Sequence, residues 1–123
     1  MRNLNLLVVL LFLCIVGCSV PSKETDLSYF LSDTEGMYTI HLFRDASTDL
    51  DNELLEYMNS SEELLEVIRG IQLYNVNTVD NQIKADKADI DEIPTMMITN
   101  DKEVVLRTQS IEEVKKYFEN IIN

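Results

Sequence analysis

From Asp45 to Glu56 the sequence Asp-Ala-Ser-Thr-Asp-Leu-Asp-Asn-Glu-Leu-Leu-Glu sets oxygen-bearing side chains at positions one, three, five, seven, nine and twelve. That is the register of a calcium loop, whose ligands all turn toward one hard cation. The pattern departs from such a loop at the sixth position, where Leu50 stands in place of the glycine that permits the sharp turn, and at the eighth, which is polar Asn52. Leu50, Leu54, Tyr57 and Met58 also recur at helical spacing, so the same stretch reads as an amphipathic helix beginning near Asp49, its first turn rich in the acidic residues a helix dipole favours. On a helix these carboxylates point in different directions and cannot converge on one ion. We therefore expect a solvated helix start, with no metal and no other cofactor.

Other chemistry-bearing residues are scarce. His41 is the single histidine, too little for a histidine metal cluster or a catalytic triad, and its place in an apolar stretch marks it as a packed core residue. The two cysteines, Cys14 and Cys18, both fall within the apolar run from Leu6 to Cys18. That run follows the lone basic residue Arg2 and is shorter than the ~20 residues needed to span a bilayer. Its end, Ile15-Val16-Gly17-Cys18, resembles the lipobox of bacterial lipoproteins. The resemblance implies that residues 1–17 are a signal peptide, that cleavage falls between Gly17 and Cys18, and that Cys18 is diacylated, anchoring the protein on the extracytoplasmic face of the cell membrane. With one cysteine discarded and the other lipidated, the mature domain has no thiol for a disulfide or for catalysis.

Residues 18–123 are the right length for one domain. Removing Arg2 while keeping all 22 acidic residues takes the net charge from −12 to −13. Such a surface excludes nucleic acid as a partner, opposes electrostatic adhesion to anionic lipid or wall polymer, and favours cationic ligands over phosphate-rich ones. Residues 18–27 comprise the lipidated cysteine and a tether, polar and proline-containing from Ser19 to Thr25; residues 28–123 form the domain.

Within that domain Asp26 to Gly36 holds a short strand or helix around Leu27 to Leu31, and Met37 to Phe43 reads as a central strand with apolar residues on both faces. The helix from Asp49 is followed by a capping box, Ser60-Ser-Glu-Glu63, and a second helical piece that Gly70 ends. Ile71 to Val76 alternates as a strand. Val79 to Ala88 is a short polar helix with a weak apolar stripe through Val79 and Ile83. A strand after Ile93-Pro94, a turn at Asn100-Asp101 and a return strand over Glu103 to Arg107 make a hairpin; Ser110 to Glu113 is a second capping box, opening a C-terminal helix with a clear apolar face.

This order resembles the thioredoxin fold from about Met37 to the end: an α/β domain with a central mixed β-sheet flanked by helices. The segment Asp91-Glu-Ile-Pro-Thr-Met-Met-Ile-Thr-Asn-Asp-Lys-Glu-Val104 is the most specific match. The resemblance implies that Pro94 is a cis-proline and that the backbone of Ile93 lines a substrate groove. Where thioredoxins carry Cys-x-x-Cys this chain reads Arg44-Asp-Ala-Ser-Thr-Asp-Leu50, with neither cysteine. A Ser47 or Thr48 hydroxyl without a base is no substitute for a thiolate. What is left is a groove between Asp45, Ala46, Ser47 and Thr48 on one side and Ile93 and Pro94 on the other, able to take an extended peptide by strand addition. Met58, Met96 and Met97 read as adaptable core filler.

The function expected from these readings is that of a membrane-anchored lipoprotein whose redox-inactive, non-enzymatic thioredoxin-like domain binds an envelope protein or peptide, or serves as a scaffold. The alternatives are a peptidoglycan-associated structural lipoprotein and a calcium-dependent envelope enzyme using Asp45 to Asp51. The lipobox reading makes a direct prediction. Cys18→Ala should abolish incorporation of labelled palmitate and leave a precursor that retains residues 1–17, as intact mass shows; a variant that is still acylated and processed would disprove it.

Overall fold

Five consecutive residues, Thr39 to Phe43, are buried because strand β1 (Tyr38–Arg44) lies inside the sheet with both of its faces covered. The computed structural model describes residues 27–45 and 48–123, so Gly17, Cys18, Ala46 and Ser47 lie outside the described residues. The described chain runs through a 3-10 turn at Ser28–Phe30, β1, helices α1 (Leu50–Met58) and α2 (Glu62–Val67), strand β2 (Ile68–Asn75), helix α3 (Val79–Lys87), strands β3 (Thr95–Thr99) and β4 (Val104–Thr108), and helix α4 (Ile111–Ile122). The sheet order is β2-β1-β3-β4, with β2 parallel to β1 and the other neighbours antiparallel.

The two sheet faces bury different chemistry. On the first, Ile40, Leu42, Met96 and Ile98 meet Leu54 of α1, Leu64 of α2 and Val114 and Phe118 of α4. On the second, Phe43, Tyr74 and Met97 meet Phe30 of the 3-10 turn, Ala85 of α3, and Ala88 and Ile90 beyond it. Met96 and Met97 are wholly buried on opposite faces, as core filler.

Several boundaries differ from the sequence expectation, each for a local reason. The second helical piece is capped by Ser61, whose hydroxyl accepts from the Leu64 N–H at 3.1 Å, while Ser60 donates to the Tyr57 carbonyl at 2.6 Å and closes α1. The capping box is thus displaced by one residue and has no reciprocal glutamate. Ser110 begins α4 without a side-chain cap bond; its backbone N–H is held by the Thr108 hydroxyl instead. Gly70 does not end a helix but sits inside β2, paired with Thr39 where the register shifts past Arg69. β2 therefore starts directly from α2, three residues before the expected Ile71.

The stripe through Val79 and Ile83 points the opposite way from the usual apolar face. Those residues are 69% and 49% exposed, and α3 packs through Ala85, with Ala88 just after it. A short helix against an aromatic floor needs small residues at the contact, so its larger apolar side chains face out.

The second face also holds a polar network. The Phe30 carbonyl, which can only accept, fixes the His41 tautomer: Nε2–H donates to it at 2.8 Å, and Nδ1 accepts from the Tyr74 hydroxyl at 2.9 Å. The Thr99 hydroxyl also donates to Phe30, at 2.6 Å. Burial disfavours the imidazolium and brings the His41 pKa down to about 4, against the smaller opposing effect of the Phe30 carbonyl.

Two predictions follow from this packing. Phe118→Ala should cost about 3–5 kcal/mol in urea unfolding, whereas Ile83→Ala should stay within about 0.5 kcal/mol of the parent; comparable losses would contradict the outward placement of Ile83. Because the unfolded His41 takes up a proton near pH 6.5 that the fold refuses until about pH 4, its contribution is complete above pH 6.5 and falls as pH drops. Between pH 7 and pH 5 the loss should be about 2 kcal/mol. His41→Phe should be less stable at pH 7 yet lack that slope; an unchanged slope would show that His41 is not its source.

Candidate functional site

The β1–β3 ladder stops at Phe43 and Thr95. One step further in the same register Arg44 comes opposite Pro94, which has no N–H to donate. The end of α3 delivers the chain to this point. Asp89 takes a left-handed conformation at φ 59°, its N–H donating to the Asp86 carbonyl at 3.1 Å while the Ile90 N–H donates to Ala85 at 2.9 Å. This is a Schellman closure with aspartate in the position usually given to glycine. Ile90 then turns into the second core, and Asp91 and Glu92 emerge exposed beside the end of the sheet.

The Ile93–Pro94 bond is cis, as the thioredoxin resemblance implied. The Thr95 hydroxyl donates to the Glu92 carbonyl at 2.6 Å and the Gln109 amide donates to the Pro94 carbonyl at 3.1 Å, so both flanks of Ile93 are held. Ile93 itself makes no backbone hydrogen bond among the described residues.

The facing wall starts from the other half of the ladder end. Arg44 places Nε 2.9 Å from Asp51 Oδ2 at the start of α1, and its Nη1 donates to the Asp45 carbonyl at 3.1 Å. The Nε geometry makes this an ion pair without an aligned hydrogen bond, and Asp51 Oδ1 is buried with no hydrogen-bond partner among the described residues. The Thr48 hydroxyl accepts from the Leu50 N–H at 3.2 Å, and Asp45 is exposed. Asp45 follows the last residue of β1 and Ile93 and Pro94 precede the first residue of β3, at the same end of the ladder; Ala46 and Ser47 lie outside the described residues.

Arg44, Asp51 and Gln109 were not expected at the groove. Arg44 left one signal, as a lone cation at a strand end before a carboxylate-rich helix. The calcium-loop register dissolves here: Asp51, Glu53 and Glu56 belong to helix α1, and Asp51 turns to Arg44. A backbone edge in an acidic setting can hold an extended chain. It has no described nucleophile and base in contact, because both nitrogens of His41 are already bonded inside the second core. A separate concavity of about 420 Å³ opens between β2 and the 3-10 turn, with the exposed pair Arg69–Asp33 at its rim, 3.4 Å apart.

No protein-family model matches this sequence, and no curated protein matches it. Solved structures match in shape. Thioredoxin f2 of Chlamydomonas reinhardtii superposes with a TM-score of 0.59 at 13% identity, over 78% of this chain and 90% of that one. Thioredoxin O2 of Arabidopsis thaliana, in its oxidized state, gives 0.57 at 11% identity over 72% and 77%. Spinach chloroplast thioredoxin f gives 0.54 at 16% identity over 81% and 86%. The central mixed four-stranded sheet flanked by helices is a thioredoxin-like fold.

Proposed function

We propose that this protein is an envelope lipoprotein, anchored through Cys18, whose thioredoxin-like domain binds an extended protein segment without redox chemistry. The observation that carries the reading is the unused backbone of Ile93, held between two bonded neighbours at the open end of the β1–β3 ladder. A strand laid there gains main-chain hydrogen bonds that the fold leaves unmade. The exposed Asp91 and Glu92 immediately precede Ile93 and the exposed Asp45 follows the end of β1, so a basic segment suits the position better than an acidic one. The chain's only cysteines are Cys14 and Cys18, and neither is among the described residues of the domain. Among those residues no helix is long and apolar enough to cross a membrane.

The test is photo-crosslinking in cells, with the reactive residue placed in turn at Ser47, at Ile93 and at the exposed Glu112 of α4. Adducts at Ser47 and Ile93, absent at Glu112 and weakened by added basic peptide, are expected. Capture at Glu112 alone, or equally at all three positions, would sink the groove.

A further inference from the structure

We propose that α3 and the 3-10 turn form the side of the domain that rests on the bilayer, with Tyr29, Val79 and Ile83 entering the headgroup layer of an anionic membrane. The inference deepens the lipid-anchor reading and rests on it. Tyr29 is 64% exposed, Val79 69% and Ile83 49%. Val79 and Ile83 are one helical turn apart on the same outward stripe. Lys84 joins them to the turn, its ammonium 5.1 Å from the centre of the Tyr29 ring. An aromatic ring with a polar tip, two aliphatic side chains and lysines that can extend toward phosphate suit the headgroup boundary.

Charge separates this side from the rest of the molecule. Helices α1, α2 and α4, on the other face of the sheet, together carry nine carboxylates and two lysines. α3 carries Asp80 and Asp86 against Lys84 and Lys87, and is neutral. The acidic run Asp89, Asp91 and Glu92 begins only past its C-terminal end. An anionic surface repels the three-helix face more strongly than the α3 face, where the exposed Asp33 is paired with Arg69, so the negative net charge biases how the tethered domain is oriented.

The attachment point agrees. The described fold begins at Leu27, two residues before Tyr29, and eight residues lie between it and Cys18, so the nine residue steps reach at most about 32 Å. A tether this short holds the domain at a high local concentration over the lipid, so a weak apolar contact is enough to set its orientation.

The test uses the full chain, made with its own lipobox and reconstituted in vesicles of phosphatidylglycerol and phosphatidylethanolamine. A fluorophore is placed on Ile83→Cys or on Leu65→Cys, which lies on the exposed side of α2, and a spin-labelled phospholipid serves as quencher. Quenching at position 83 should exceed that at 65 several-fold, and Tyr29→Asp with Val79→Asp should abolish the difference while flotation persists. Equal quenching at the two positions in protein that floats overturns the docking face and leaves the anchor intact. Protection of position 83 without vesicles, at twice the monomer mass, overturns it in favour of a second copy of the chain. A chain that does not float refutes the anchor. A histidine tag replacing residues 1–18 then holds the domain on nickel-chelating lipid, and the same comparison decides which face docks.

Discussion

The Phe30 carbonyl oxygen enters the core on the sheet face that α3 covers only in part, and an acceptor buried without a donor costs on the order of 1–3 kcal/mol. His41 and Thr99 both donate to it, and Tyr74 completes the imidazole's remaining valence. This network fastens the turn at Ser28–Phe30 across β1 and β3. Phe30 can then fill the floor between Phe43, His41 and Tyr74, with ring centres 5.4–6.1 Å apart. The same fastening engages the single imidazole in structure, so the histidine that a sequence search would offer as a base has both nitrogens occupied and is neutral at pH 7.

The parts of this architecture legible in the sequence are those with strong local signals. The β-branched and aromatic run of β1, the hairpin turn at Asn100 and the face of α4 through Val114 and Phe118 required only periodicity and turn chemistry. The sequence is ambiguous where two neighbouring residues compete for one role. Ser60 and Ser61 are equally good N-caps by type, and only the Tyr57 carbonyl, which takes the Ser60 hydroxyl, decides between them. Gly70 looks like a helix stop because glycine ends helices, yet here it lies in a strand where the register shifts past Arg69. Val79 and Ile83 give α3 a weak apolar stripe in the sequence, yet that stripe faces out, because the opposing wall is already filled by rings.

The groove was legible only in part, for a related reason. Pro94 announces itself through its neighbours in sequence. Arg44 and Asp51 meet because a strand end and a helix start are brought together across a loop, and no one-dimensional spacing encodes that approach. Gln109 comes from still further away, past β4, to the Pro94 carbonyl. It occupies the carbonyl next to Ile93 while leaving the Ile93 backbone itself open.

The described sheet has two outer edges, β2 and β4, and of these the outer side of β2 runs longest; an extended segment could add there instead. Two features make it the poorer platform. The register shift at Arg69 interrupts the run of alternating groups that an added strand must match, and a bulged edge twists away from a flat partner. Arg69 and Asp33 also meet at the rim of the cavity beside it. At Ile93 the neighbouring residues hold the backbone in place from both sides, so an incoming strand has less conformational freedom to remove. In the proposed reading the exposed Asp91 and Glu92 beside that position would select for charge, whereas the β2 edge, with one cation and one anion, would discriminate little.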